Sequence, residues 1–349
     1  MGHKPLYCTR RDFLKLSSLG FLGFITNPIL DGLKVPLFSQ NNDLINEYGR
    51  VIYNLVAVYE HPSFTGKIKK QYWKDAVIPI TEVTIGDDEP NYNRIWYGVG
   101  NEGFAHSGGI QPVKTIINIP ESNIPKGGQL AEVTVPYTDA IWEINNVENV
   151  AYRFYYETTH WVVGHIQSPD GTNWYRVIDD KWELILYVQA RHLRLIPRGE
   201  LSVLSPDVPP EAKRLEVRTK EQIVIAYELD NPVFMARTAT GAEFSNGKFY
   251  TPTGRHKTFH KRPSRHMAAG NLAANGFDLP GIPWVSYITK SGVAFHGTYW
   301  HNDYGRPRSH GCINLPSQAA KWIYRWTLPI VVPNEQFAYD EVATIVDVY

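Results

Sequence analysis

The chain predicts a mainly β protein, with small β units first and then a larger β-rich unit carrying one clear helix. Three observations lead there. Ten Trp and 21 Tyr stand beside 24 Pro and 27 Gly, the composition of many short strands closed by turns. Apolar residues alternate in short runs from Arg50 onward, first in Val51, Tyr53, Leu55, Ala57 and Tyr59. One clear stretch has helical spacing: Ala319, Ala320, Trp322, Ile323 and Trp326, with Pro316 suited to its first turn.

A length of 349 residues with 43% hydrophobic content supports two or three domains with real cores. Lys plus Arg and Asp plus Glu both number 35. This balance argues against a dedicated nucleic-acid binder, which usually carries a basic excess. Sugar and peptide partners remain open.

Residues 1–30 begin the chain with Thr9-Arg10-Arg11-Asp12-Phe13-Leu14-Lys15 and an apolar run from Leu16 to Ile25. The run is too short and too broken by Ser and Gly to span a membrane with confidence. The order of arginine pair, Phe-Leu-Lys and apolar run resembles a twin-arginine export signal. That implies an exported, extracytoplasmic protein of the cell envelope. No Ala-x-Ala site follows, so an uncleaved signal would anchor the protein to the membrane. Residues 31–48 read as linker.

Residues 49–114 hold five short runs, among them Val77-Ile78-Pro79-Ile80 and Ile95-Trp96-Tyr97-Gly98-Val99. With their Gly and Asp turns they suggest a small β-barrel, and they resemble a bacterial SH3-like domain. Residues 115–204 read as a second SH3-like or other small β domain. Trp174-Tyr175-Arg176-Val177 echoes the earlier Trp strand, after a turn at Asp170-Gly171. Residues 205–212 form a Pro-rich linker. The third domain, 213–333, opens with a hairpin, Ile223–Tyr227 and Val233–Ala236. It continues through strands at Trp284–Ile288 and Gly292–Phe295 and ends on an expected strand at Leu328–Val332. Residues 334–349 read as a C-terminal tail.

Cysteine is used twice, at Cys8 and Cys312. Once a signal is set aside, one thiol remains, and its neighbours are unusual. Phe295-His296-Gly297-Thr298 precedes Arg308-Ser309-His310-Gly311-Cys312-Ile313-Asn314. A thiol attacks as thiolate, and an imidazole can take its proton. Small residues around it leave backbone N–H groups able to face an oxyanion. A buried inert cysteine is the bland alternative. His256 and His260 are four apart, but on an extended segment that spacing is no metal-ligand signal. No metal and no cofactor are expected.

The His-Gly-Thr and Ser-His-Gly-Cys-Ile-Asn motifs together resemble the signature of the L,D-transpeptidase catalytic domain (YkuD type). Ala239-Thr240-Gly241, Thr251-Pro252-Thr253-Gly254 and Pro263-Ser264-Arg265 upstream resemble it too. The resemblance covers residues 213–333. It implies a peptidoglycan enzyme that acylates its cysteine with a stem peptide, releases D-Ala and passes the acyl group to an amine of a second stem. In that reading Cys312 is the nucleophile and His296 the proton acceptor and donor, with the Gly297 carbonyl orienting its ring. His310 and Ser309 support the loop. The Gly311 N–H faces the oxyanion, together with that of Cys312. Arg308 and Asn314 are candidate substrate contacts, and Tyr299 and Trp300 candidates for a flap over the acyl chain. Carbapenem β-lactams are the implied inhibitors. An L,D-carboxypeptidase or another cysteine peptidase of the cell wall shares the first half of this chemistry. A non-catalytic wall-binding protein is the reading from another class.

Overall fold

The structure, a computed structural model, describes residues 47–87, 89–245, 247–270 and 276–349. The expected export segment 1–30, its Cys8 and most of the linker 31–48 lie outside these residues.

The first unit is an antiparallel sheet of β1 (Glu47–Val51), β2 (Leu55–Tyr59), β3 (Ile68–Trp73), β4 (Val77–Ile85), β5 (Ile95–Val99), β6 (Gly103–His106) and β7 (Ile110–Val113). Their order is β3-β2-β6-β5-β4-β1-β7. The alternating run from Val51 to Tyr59, expected as one strand, is two strands separated by a bend at 52–54. Asn54 favours a turn there, and the two halves pair with different partners. Val56, Val58, Ile78, Ile80 and Val99 build the unit's own core.

The second unit comprises β8 (Gln129–Val133), β9 (Tyr137–Glu143), β10 (Asn146–Tyr155), β11 (Thr159–Gln167), β12 (Asn173–Ile178), β13 (Ile185–Gln189) and β14 (Leu193–Leu195). The order, β10-β9-β13-β12-β11-β8-β14, repeats that of the first unit strand for strand. In both, a short 3-10 turn joins the sixth strand to the seventh, Ser107–Gly109 and Ala190–His192. The two Trp strands hold equivalent places, with Trp96 and Trp174 each second in its strand. The sequence echo is thus a repeated topology.

The third unit adds β15 (Lys213–Arg218), β16 (Ile223–Glu228), β17 (Asn231–Arg237), β18 (Glu243–Phe244), β19 (Gly247–Lys248), β20 (Gly254–Ala269), β21 (Phe277–Tyr287), β22 (Ala294–Gly297), β23 (Ile313–Leu315), α1 (Ser317–Trp326) and β24 (Ala338–Val348). Eight of these strands form one sheet in the order β17-β16-β15-β24-β20-β21-β22-β23. Two features correct the reading of the sequence. Residues 334–349 are not a tail, because β24 lies inside the sheet between β15 and β20. Residues 328–332 are not a strand. Pro329 lacks a donor for a ladder and Pro333 follows directly.

Helix α1 follows from its sequence. Ala320, Ile323 and Tyr324 recur at helical spacing and are buried. Thr327 ends the helix by donating both its N–H and its hydroxyl to the Ile323 carbonyl. The buried Lys261 of β20 donates to the carbonyls of Tyr324 and Thr327, placing its amino group at the negative end of the helix. The largest core gathers Leu215, Trp284, Phe295, Ile313 and Ile323 with Leu130, Trp161 and Ile196 of the second unit. The linker at 205–212 therefore joins two units that share one apolar interior.

Candidate active site

Strands β22 and β23 run parallel, pairing Phe295 with Ile313, His296 with Asn314 and Gly297 with Leu315. Cys312 directly precedes β23. It is two residues from Asn314, so the ladder sets it diagonally across from His296 on the same face. Sequence spacing brought the two motifs to neighbouring strands, and the register decides that these two side chains share a face.

Nδ1 of His296 donates to the Gly297 carbonyl at 3.0 Å. A carbonyl can only accept, so the proton of the neutral ring is on Nδ1 and Nε2 is left as an acceptor. Burial pushes the His296 ring down to about 4, and it is neutral at pH 7. Burial pushes the Cys312 thiol up to about 11. The thiol contacts the Gly292 carbonyl at 3.7 Å, and among the described residues no hydrogen bond joins it to His296. Burial thus favours the neutral form of both groups.

The upstream motifs shape the cysteine loop. Ala239 and Asn314 exchange backbone hydrogen bonds, and the Thr240 carbonyl accepts from the N–H groups of Arg308 and Ser309. The Gly241 N–H donates to Thr251 Oγ1, whose hydroxyl donates to the Gly311 carbonyl. A side chain on Gly241 would meet the Phe249 carbonyl at 2.0 Å, so only glycine fits. Gly311 sits at φ +107°, in glycine's territory. Ser309 Oγ accepts from the Gly311 N–H and donates to the Cys312 carbonyl. The Gly311 N–H, expected to face an oxyanion, is therefore occupied within the loop itself. His310 stacks on Phe244 at 4.6 Å and packs against Phe249; its exposed ring stands at the rim of the site.

The residues between the two motifs depart most from expectation. Tyr299, His301, Asp303 and Tyr304 are buried and do not line the cleft. Tyr299 stacks on Tyr155 of the second unit, and the segment reaches the first unit through the Tyr299 carbonyl, Asn302 and Asp303. The Tyr299 carbonyl accepts from Arg50 Nη2, and Asn302 donates to the Ile110 carbonyl. Asp303 accepts from Asn93 and from Arg308, and Arg308 also donates to the Tyr53 hydroxyl at 2.7 Å. Arg308 is therefore committed to the protein's own packing. Trp300 packs on His296 with ring centres 5.7 Å apart. Asn314 is buried, with Nδ2 3.0 Å from Nε2 of His301 and Oδ1 unpartnered. Nδ1 of His301 already accepts from Asp303 N–H, so the ring proton is on Nε2; turning the Asn314 amide end for end pairs both groups. None of Arg308, Asn314, Tyr299 and Trp300 lines the cleft. Sequence reasoning missed Arg50, Asn93 and Tyr53, which lie some two hundred residues earlier and have no local signal.

Cys312 opens into a cleft of about 610 Å³, lined also by Tyr287, Val293, Phe277, His310, Arg265 and Lys181. That volume suits a short peptide. Lys181 belongs to the second unit.

Residues 212–347 match the model of the L,D-transpeptidase catalytic domain, YkuD. No curated protein matches the chain. Among solved structures, the L,D-transpeptidase of Xylanimonas cellulosilytica is similar at 23% identity and TM-score 0.30, over 45% of this chain and 64% of that one. The L,D-transpeptidase of Mycobacterium smegmatis is 19% identical with TM-score 0.32, over 40% and 58%. The ertapenem-acylated catalytic domain of the Enterococcus faecium L,D-transpeptidase is 20% identical with TM-score 0.30, over 40% and 97%. The chain thus spans 64% and 58% of the length of the first two of these solved chains.

Proposed function

We propose that this protein is an exported peptidoglycan L,D-transpeptidase. The observation that carries the reading is Cys312 at the wall of a peptide-sized cleft, diagonally across the ladder from an imidazole whose Nε2 is left as an acceptor. The motif resemblance over residues 213–333 falls within the match over residues 212–347.

In this mechanism Cys312 turns about χ1 from the Gly292 carbonyl toward His296. Nε2 takes the thiol proton as sulfur attacks the carbonyl between the diamino acid and terminal D-Ala of a stem tetrapeptide. The C–N bond breaks, the imidazolium returns the proton to the leaving amine, and D-Ala departs, leaving a thioester. An amine of a second stem then attacks the thioester carbonyl, gives its proton to His296 and regenerates the thiol. Because burial favours the neutral form of both groups, His296 works as a general base during attack. The Cys312 N–H is our candidate for the oxyanion. Gly297 orients His296, while Ser309 and His310 hold the loop and its rim. The arginine pair near residue 10 implies export by the twin-arginine route, and the two N-terminal units are read as SH3-like modules for the wall. Carbapenems would acylate Cys312.

Mass analysis of products from purified tetrapeptide muropeptides tests the reading. Dimers that vanish in Cys312→Ala support transfer. Tripeptides alone would make the protein a carboxypeptidase, and no product with an unreactive thiol would leave a wall-binding protein.

A further inference from the structure

The second repeat reaches the cleft through the tight loop between β12 and β13. Asp179 shapes this loop, its Oδ1 accepting from the N–H groups of Lys181 and Trp182. The same carboxylate reaches across to Nδ1 of His266 on β20. Asp180 accepts from the His266 N–H and from Arg262 and Arg265. Lys181 Nζ donates to the Ala268 carbonyl at 2.9 Å. Five contacts on one strand fix the loop before any ligand arrives, which lowers the ordering cost of binding.

The charge that this arrangement presents is one-sided. The protein as a whole is neutral. Yet among the described residues the charged side chains lining the cleft are Lys181 and Arg265, with His266 beside them and no carboxylate. The balancing carboxylates Asp179, Asp180 and Asp278 lie outside the lining. One carboxylate, Asp180, serves two guanidiniums, so Arg265 keeps unspent donors.

We propose that Lys181 and Arg265 form a subsite for a carboxylate of the peptide that acylates Cys312, so that the second unit supplies part of the substrate site. This rests on the transpeptidase reading for its substrate, but the cationic subsite can be tested without it. Alkylation of Cys312 is timed with iodoacetate and with iodoacetamide, reagents of similar size that differ in charge. Any change in thiol ionisation affects both reagents alike, so their rate ratio isolates attraction of a carboxylate. In Lys181→Met the iodoacetate-to-iodoacetamide ratio falls about threefold, and further in Lys181→Glu, as expected for one charge acting across a solvated cleft. Equal ratios in all three proteins, or both reagents slowed alike, overturn the proposal and leave Lys181 a strut between units. A second arm compares a tetrapeptide donor with its C-terminal amide. Wild type prefers the carboxylate, and Lys181→Met loses that preference mainly through KM. If muropeptides give no product while the reagent ratio still falls, the function fails and the subsite stands. The reverse pattern keeps the enzyme and removes the subsite.

Discussion

The two repeats use the same strand order but hold the third unit differently: the first by polar groups, the second by a shared apolar core with polar contacts around it. The first attaches through polar groups: Arg50 on the Tyr299 carbonyl, Asn93 on Asp303, and the Ile110 carbonyl under Asn302. Arg50 also pairs with Asp75, which in turn binds Arg153 of the second unit. The second repeat instead puts Leu130, Trp161 and Ile196 into the third unit's own core. It adds polar contacts both at the cleft rim and away from it, among them Thr159 with Pro263 and Ser264, Glu157 with Gln318, and Glu200 with Lys321. Polar junctions depend on direction and can hold a loop in one conformation, whereas apolar ones supply most of the stability. The first repeat therefore positions the segment between the catalytic motifs, and the second is part of the folding unit.

The largest expected effect tests the apolar side. Trp161→Ala should destabilise the protein by about 3–5 kcal/mol, as aromatic core truncations do. Urea unfolding should show the second and third units lost in one transition; two separate transitions would break the comparison. Acid is the next lever. His160 stacks on Phe154 at 3.6 Å, and its ring fills the space beside Gly281. Burial pushes it down to about 3. Its folded value lies below the ordinary 6.5, so the unfolded chain binds the proton first. Its stabilisation is whole above pH 6.5 and is lost as pH falls toward 3, on the order of 5 kcal/mol over the full range. His296 acts with the same sign. His266 opposes them: burial alone would lower its ring, but Asp179 and Asp278 raise it. Unfolding midpoints at pH 7, 5 and 4 should decline steadily, and His160→Leu should flatten the trend.

The polar side should yield smaller losses of stability and larger losses of rate. Arg50→Met leaves buried acceptors at Gln111 and Tyr299 and should cost about 2–3 kcal/mol. Because the Tyr299 segment follows His296, the variant should lower kcat more than it raises KM. An unchanged kcat would make this contact mere packing. Asn302→Ala removes the donor facing the Ile110 carbonyl and should cost about 1–2 kcal/mol in urea unfolding. The burial of thiol and imidazole gives the last check. Iodoacetamide should react with Cys312 at a rate that rises with pH through 7 to 9, since the thiol is held near 11. A plateau from pH 5 upward would indicate a thiolate–imidazolium pair instead.

Much of this was legible from residues alone. Alternation marked the β-rich stretch that begins near Arg50, although the run from Val51 to Tyr59 proved to be two strands; Leu229-Asp230-Asn231-Pro232 marked the hairpin β16–β17, and helical spacing with Pro316 marked α1. The tail at 334–349 was misread because only the second half of β24 is buried, and Asp340, Glu341 and Asp347 obscure its period. Asp347 belongs in the sheet because Arg255 pairs with it from β20, a partner 92 residues away.

The chain's own order of residues determined the chemistry available: one thiol outside the expected export segment, two nearby histidines, and glycines where no side chain fits. Local forces of rotamer, period and turn are written within a few residues, so they can be read directly. Which histidine shares a sheet face with the cysteine, which N–H is already bonded within the loop and which arginine is already paired depend on the parallel register of β22 and β23 and on packing between distant segments. Those choices are made by close packing and by the cost of leaving buried polar groups alone, which operate only once all three units have come together.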